Sequence, residues 1–376
     1  MTASTSATTP SGTGASGAPQ PGSSPSGFSR LVQRATSGSS WTVYALLIVV
    51  FVAILVMNPS FGEPMSLMAF LKKAAPLIVL AIGQYFVIVS GEFDLSVGSL
   101  VGAQVVIAAK LIDGEESMTW PVIGLMVLFG LGIGLINGLI VTLLKVPSFI
   151  TTLGMMLVLY GAIRLWTGGA PTGSLTEGFR QWGRGGFPDT PGQFQVPYAV
   201  LITLVLGVVA VIVMRRPYGR TLVATGDNDV AASYSGASVW WVRTRAFLFS
   251  GFMATVAGIL IGGYAGVTAQ VGEGLEFMAI TAVVLGGVVL GGGRGSVVAA
   301  MAGALTLEAL FTLFNQLSLP STIRPAVQGV IIIAAVAYAA MPRRSKAAPT
   351  SSPSPPTTPA GVTEPTVPKE PQPAAP

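Results

Sequence analysis

Apolar runs about as long as one membrane crossing recur through this chain of 376 residues. A bilayer-spanning helix needs about 20 predominantly apolar residues, and breaks at proline, glycine and charged clusters separate the runs. Half of the residues are hydrophobic (51%) and only 9% are charged, whereas an ordinary soluble domain is roughly 25% charged. We therefore predict an all-α polytopic membrane bundle of about ten crossings, at residues 41–57, 74–90, 96–112, 120–144, 148–166, 196–214, 246–266, 277–291, 296–316 and 324–341. The third and eighth runs are short for a straight crossing, which leaves eight or nine crossings open.

The chain contains no cysteine and no histidine. Their absence excludes thiolate and imidazole metal sites, cysteine nucleophiles, histidine general bases and disulfides. No Gly-Lys dipeptide occurs either, so the chain has no Walker A loop to hold nucleotide phosphates. We expect a non-enzymatic protein without catalytic residues, metal ligands or a cofactor of its own.

Basic residues are distributed unevenly over the loops that ten crossings would define. With a cytoplasmic N terminus, 13 of the 20 lysines and arginines fall inside and 7 outside, and most acidic residues fall outside. The positive-inside rule therefore predicts that both termini are cytoplasmic, which requires an even number of crossings. The net charge of +5 reflects these loops, since no basic stripe interleaved with aromatic residues indicates nucleic-acid binding.

Two terminal segments differ in composition from the rest of the chain. Residues 1–40 consist mainly of Ser, Gly, Thr, Ala and Pro, and residues 342–376 contain 11 of the 27 prolines. Such segments cannot bury a core, so we predict two disordered cytoplasmic tails. The transmembrane domain is then residues 41–341.

Two carboxylates, Glu92 and Asp94, lie in the segment GEFDLSVGS (91–99) between runs without any charge. Acidic residues near membrane depth are expensive and usually functional, so this segment is expected at a bilayer surface, in a cavity or inside the bundle. Two further polar residues interrupt predicted crossings. Asn137 and Glu308 are expected either to line a polar route or to form hydrogen bonds between helices.

The longest predicted internal connection, residues 215–245, contains a helix signal. Asp227, Asn228 or Asp229 can cap a helix that runs through two alanines and stops at Gly236. This helix would lie outside the bilayer, either as a simple connector or as a docking element for a partner. In the fourth crossing, glycines recur every four residues, which predicts close approach of another helix: Gly130, Gly134 and Gly138.

Seven strings occur in an order that resembles one family, the permease subunits of bacterial ABC importers of the ribose and simple-sugar type, which depend on a binding protein. They are GEFDLSVGS (91–99), GLING (134–138), PSFITTLG (147–154), TGG (167–169), YGR (218–220), AITAVVLGG (279–287) and GGGRGS (291–296). Any one string is weak evidence, but together they extend across the predicted transmembrane domain.

This resemblance implies a multi-pass subunit of the bacterial plasma membrane that imports a monosaccharide such as ribose or xylose by alternating access. It implies four partners: a second permease copy or close relative, a cytoplasmic ATPase that holds ATP and Mg, an extracytoplasmic solute-binding protein, and the lipid bilayer. Residues 226–236 would dock the ATPase through Gly226, Asp227, Asp229, Ala231, Ala232 and Gly236. Candidates for the pathway are Glu92, Asp94, Ser96, Asn137 and Glu308.

The chain departs from the family pattern at two places. Val230 occupies the position of a family glutamate, although Asp229 precedes it, and Glu92-Phe93 replaces the commoner Gly-Ile pair. Alternative interpretations are a related importer permease for branched-chain amino acids, nucleosides or a signalling sugar, and an ion-coupled secondary transporter with Glu308 and Asp94 as coupling acids. A membrane enzyme with Glu92 and Asp94 as an acid–base pair is a further alternative.

Overall fold

The computed structural model describes residues 40–170, 172–188, 194–268 and 270–340. Apart from Ser40, the two predicted tails lie outside the described residues. The described part folds almost entirely into helices, with 3₁₀ turns at Pro59–Gly62 and Glu116–Met118 and a short antiparallel pairing of β1 (Gly186–Phe187) with β2 (Val196–Pro197). The helices are α1 (Ser40–Met57), α2 (Pro64–Val89), α3 (Val97–Ile112), α4 (Thr119–Leu143), α5 (Ser148–Thr167), α6 (Glu177–Arg184), α7 (Tyr198–Arg215), α8 (Pro217–Asp227), α9 (Asp229–Tyr234), α10 (Val239–Ala265), α11 (Leu275–Leu285), α12 (Val297–Gln316) and α13 (Ile323–Ala340).

Each of the ten predicted crossings overlaps one of these helices. Among the described residues, six helical segments are long and apolar enough to cross a membrane: Pro64–Val89, Glu116–Leu143, Ser148–Thr167, Tyr198–Arg215, Val239–Ala265 and Val297–Gln316. The all-α polytopic class is therefore confirmed. The number of crossings and the sidedness of the termini stay predictions.

Two helices begin earlier than the apolar runs predicted. Helix α2 starts at Pro64, because proline suits the first turn of a helix, where its missing N–H is not needed. Helix α10 starts at Val239, although Arg245 lies in its second turn. The Arg245 guanidinium lies over the Trp241 ring, 4.9 Å from its centroid, which accommodates the charge at the end of an apolar helix.

The two runs that were expected to be short are short. At 1.5 Å per residue, α3 and α11 are about 24 Å and 16 Å long, less than the roughly 30 Å of a hydrocarbon core. The segment before α11 packs against the start of α3 and not against its end. The backbone of Gly272 lies against the backbone of Gly98 and Gly102, in the first turns of α3. Gly272 is therefore buried against α3.

The core is centred on α10, which packs against α2, α3, α4 and α6. The glycines of α4 face α10, as predicted. A Cβ atom on Gly138 would lie 2.9 Å from the Cα of Thr244, and one on Gly130 would lie 2.7 Å from the carbonyl oxygen of Gly251. Larger residues at these positions would push the two helices apart.

Several connections meet at one end of the bundle, which we call the basic end: the α2–α3 loop (residues 90–96), α8, α9 and the α11–α12 loop (residues 286–296). Their backbones touch, since the N–H of Gly293 donates to the carbonyl oxygen of Val89 at 2.9 Å, and Gly292 packs on Gly91 and Gly226. Arginines concentrate on the connections and helix ends here: Arg215, Arg216, Arg220, Arg243, Arg245 and Arg294. The opposite end carries α6, the β1–β2 pairing and the turn at Glu116–Met118.

Candidate functional site

The candidate docking element at the basic end is the helix pair α8–α9. Asn228 separates the two helices with an extended backbone, and its side chain accepts a hydrogen bond from the N–H of Ala231 at 2.9 Å. Asn228 is therefore the N-cap, one of the three residues that the sequence offered. Just beyond the end of α9, Gly236 adopts φ +86°, a left-handed conformation that glycine tolerates.

A cavity of about 570 Å³ lies between α8 and α9. Its lining consists of small side chains with one cation and one acid: Arg220, Thr221, Ala224, Asp227, Asn228, Ala231, Ala232, Ser235, Gly236 and Ala237. Of the predicted docking residues, Asp227, Ala231, Ala232 and Gly236 thus share one cavity. The small side chains leave room for a group from another molecule.

Two apolar side chains on α9 point into solvent. Val230 is 58% exposed and Tyr234 is 88% exposed, and their spacing of four places them on one face of the helix. Large exposed apolar groups on a short polar element are typical of a contact surface. Tyr234 was not among the residues predicted from the sequence, although an aromatic residue within a polar connection indicates a contact surface.

The remaining two predicted docking residues contact other parts of the bundle. A Cβ atom on Gly226 would lie 2.6 Å from the N atom of Gly293 and would also meet the carbonyl oxygen of Val89. Asp229 Oδ2 lies 3.4 Å from Arg243 Nη2. Gly226 and Asp229 therefore join α8 and α9 to the bundle, while the Asp229 side chain is still 47% exposed.

Tyr218, near the start of α8, fixes this helix on α10. Its hydroxyl donates to the carbonyl oxygen of Val242 at 3.2 Å. Burial raises the pKa of the Tyr218 phenol above its ordinary value, because the charged form would lose its water. The phenol therefore stays a neutral donor.

Three predicted pathway residues form one buried cluster, the Asp94 network, which consists of Asp94, Ser96, Asn137 and Ser250. Asp94 Oδ1 accepts from the N–H of Ser96 at 3.0 Å and from its hydroxyl at 2.6 Å, and Oδ2 accepts from the Ser250 hydroxyl at 2.7 Å. The Asn137 amide donates to Ser96 Oγ at 2.9 Å. The network ties the α2–α3 loop to α4 and α10 with the carboxylate 2% exposed.

The α2–α3 loop is also held by α5. Ser148 Oγ accepts from the N–H of Phe93 at 3.1 Å, and Thr152 Oγ1 accepts from the N–H of Leu95 at 3.0 Å. These hydroxyls belong to the string PSFITTLG, so two of the seven strings meet in space. Their contact explains why a Ser and a Thr are spaced by one helical turn at this point.

Glu92 and Glu308 lie outside the Asp94 network. Glu92 Oε1 is 3.2 Å from Arg243 Nε at the basic end, so Glu92 and Asp94 serve different partners. Glu308, on α12, is 2.8 Å from the ammonium of Lys73 on α2. This partner explains how a carboxylate that is 93% hidden from solvent is tolerated in an apolar helix.

Some buried polar atoms have no hydrogen-bond partner among the described residues. They include both amide atoms of Gln84, the Oδ1 atom of Asn137 and the Oε2 atom of Glu276. Buried amides normally have hydrogen-bond partners. Water, a solute or a different conformation of the bundle would have to supply them here. Among the described residues, no cluster of three or more acidic side chains could hold a metal ion.

Comparison of the sequence with known proteins shows its family. A family model described as "Branched-chain amino acid transport system / permease component" matches residues 66–336. The chain belongs to this permease family. The ribose import permease protein RbsC of Bacillus subtilis (strain 168) is 34% identical over 294 residues, which cover 77% of this chain and 89% of the relative. The resemblance to importer permeases and the multi-pass inner-membrane location are therefore confirmed.

Other relatives of this permease family carry a different solute in their name. The autoinducer 2 import system permease protein LsrC of Salmonella typhi is 30% identical over 299 residues, 79% of this chain and 84% of the relative. LsrC of Escherichia coli O9:H4 (strain HS) is 31% identical over 300 residues, 79% of this chain and 86% of the relative. No solved structure gives a significant match.

Proposed function

We propose that the chain is the membrane subunit of an ATP-driven importer of a simple sugar, in which α9 docks a separate cytoplasmic ATPase. The observation that carries this proposal is the α8–α9 pair, with its cavity and the exposed Val230 and Tyr234. A membrane subunit without a nucleotide site of its own can be driven by ATP only if it presents a surface that a separate ATPase contacts. The ATPase, and not this chain, would hold ATP and Mg.

The proposed orientation places the basic end in the cytoplasm, with ten crossings and both termini on that side. The arginines of α7, α8, α10 and the α11–α12 loop support this orientation through the positive-inside rule. The opposite end, with α6 and the β1–β2 pairing, would then face an extracytoplasmic solute-binding protein. A second permease, identical or related, would complete the transport pathway, and access would alternate between the two sides.

A sugar is favoured over a branched-chain amino acid, although the family description names the latter. Two kinds of relative that each cover more than three quarters of this chain are named for ribose and autoinducer 2. The names of these relatives favour a sugar. The buried groups without partners do not decide between the two solutes, because they include the carboxylate of Glu276 as well as the amides of Gln84 and Asn137.

The test is transport by the full chain in vesicles, together with an ATPase and a solute-binding protein from the same organism. Uptake of labelled ribose should require ATP hydrolysis and the binding protein, and it should persist when an uncoupler removes the proton gradient. Uptake without ATP that collapses with the uncoupler would instead indicate an ion-coupled secondary transporter. Uptake of labelled valine, with no uptake of labelled ribose or autoinducer 2, would reject the sugar.

Docking is tested separately by co-purification of the ATPase. Tyr234→Ala should weaken ATPase binding, because it removes the most exposed aromatic group of α9. The matched control is Phe194→Ala, which removes an exposed aromatic residue from the opposite end. Equal ATPase recovery with both variants would rule out α9 as the docking helix.

A further inference from the structure

Arg243, in the second turn of α10, contacts two other parts of the basic end at once. Its Nε lies 3.2 Å from Glu92 Oε1 and donates to the carbonyl oxygen of Ser90 at 3.3 Å. Its Nη2 lies 3.4 Å from Asp229 Oδ2 at the start of α9. One guanidinium therefore joins α9 to the α2–α3 loop.

The burial of Arg243 and Glu92 makes their contact more than a surface ion pair. The side chains of Arg243 and Glu92 are 20% and 13% exposed, and that of Asp229 is 47% exposed. Partly buried charges are screened far less than exposed ones. If α9 moved without the α2–α3 loop, Arg243 would lose one of its two carboxylates, and the cost would be largest at Glu92, which is the more buried of the two.

The connection continues from Arg243 into the bundle. Ser250 lies on α10 two turns beyond Arg243 and holds Asp94, at the other end of the α2–α3 loop. The same loop reaches α4 through Ser96 and Asn137. Polar contacts thus lead from α9 through Arg243 to Glu92, and the backbone of the α2–α3 loop continues from Glu92 to the Asp94 network.

We propose that Arg243 is a positioning residue that makes α9 and the α2–α3 loop move as one unit, so that displacement of α9 reaches the Asp94 network. The proposal rests on the function proposed above, since that function assigns ATPase docking to α9. Arginine suits this role because its planar group carries five N–H donors and can serve two carboxylates at once. A lysine ammonium is a single point charge and can replace it only in part.

The first test compares variants in the reconstituted importer with labelled ribose as the probe. Arg243→Gln should keep ATPase co-purification and basal ATP hydrolysis, while the ATP consumed per ribose imported rises about tenfold, within the usual range of coupling between sites. Arg243→Lys should restore part of the coupling. The matched control is Arg294→Gln, at an exposed arginine of the same end, which should behave as wild type.

Double substitution tests whether the two carboxylates act through Arg243. Glu92→Gln and Asp229→Asn should each impair coupling, and neither should add to the effect of Arg243→Gln, because residues in one network are not additive. Additive effects, or normal coupling in Arg243→Gln, would overturn the proposal. Loss of ATPase co-purification in Arg243→Gln would also overturn it, since Arg243 would then be a docking residue.

A second measurement does not depend on transport. The chain has no cysteine, so a thiol introduced by Phe93→Cys in the α2–α3 loop can be labelled with a maleimide without background. Arg243→Gln should accelerate this labelling severalfold, and Arg294→Gln should leave the labelling rate unchanged. Equal rates would show that Arg243 does not hold the loop. If Arg243→Gln accelerates labelling but the wild-type protein imports no ribose, the proposed function is rejected. The result would then support only the contact between Arg243 and the α2–α3 loop.

Discussion

At the scale of single residues, the buried carboxylate of Asp94 is the side-chain group whose loss should matter most for stability. Three donors, two from Ser96 and one from Ser250, converge on it. In Asp94→Ala these buried donors lose their acceptor, which costs about 1–3 kcal/mol per unsatisfied group. We expect a clearly lower melting temperature of the purified protein, measured by fluorescence in detergent.

The control for this substitution is Asp227→Ala, which removes an exposed carboxylate at the basic end. Its melting temperature should stay near that of wild type, because exposed charges contribute little to stability. If both variants melt alike, the Asp94 network does not stabilise the bundle.

The sequence identified most of the chemically important residues but few of their partners. Asp94, Ser96 and Asn137 were each singled out, and the structure brings them together. Ser250, which lies 156 positions from Asp94, could not be recognised, because no local pattern reports a contact between distant segments. The pairing of Glu308 with Lys73 was missed for the same reason.

At the scale of elements, α9 is the part of the candidate site that the sequence predicted most completely. Its cap and its stop depend on local rules: Asn228 accepts from the N–H of Ala231, and Gly236 takes a positive φ. The earlier starts of α2 and α10 were not predicted, because charges near their ends obscured the apolar pattern. Those charges have tertiary partners, for example Glu308 beside Lys73 and the Tyr218 ring beside Arg245.

The end of α9 provides a test of the cavity. Gly236→Trp should fill the α8–α9 cavity and abolish ATP-driven uptake while the protein still inserts into the membrane. Gly236→Asn is the control, because asparagine tolerates the left-handed backbone and adds little volume. Uptake and membrane level are measured together. Wild-type uptake by Gly236→Trp at a normal membrane level would mean that the cavity does not receive a partner.

The contact between α4 and α10 provides a second element-scale test. Gly134 of α4 lies against the backbone of α10 at Phe247 and Leu248, whereas no atom outside α4 lies within 4 Å of a Cβ on Gly132. Gly134→Leu should therefore separate the helices, at a cost of about 1–3 kcal/mol or more. Gly132→Leu should be tolerated. Size-exclusion chromatography in detergent should show loss of the monodisperse protein for Gly134→Leu alone.

At the scale of the whole molecule, the two ends of the bundle differ in charge and in what they expose. Arginines and the α8–α9 cavity are at one end, while α6 and the β1–β2 pairing are at the other. The apolar pattern predicts that helices cross the bilayer, but only the distribution of charge predicts which end faces the cytoplasm. The entire mechanism proposed here depends on that orientation, since a cytoplasmic ATPase can reach α9 from one side alone.

Orientation is directly measurable because the chain has no cysteine. Ser233→Cys places a thiol on α9, and Ser117→Cys places one on the turn at the opposite end, and both positions are exposed. In intact cells, a membrane-impermeant maleimide should label Ser117→Cys and reach Ser233→Cys only after the membrane is permeabilised. The reverse pattern would put α9 outside the cell. No ATPase could then drive the bundle from the basic end, however well the cavity and the Arg243 contacts were formed.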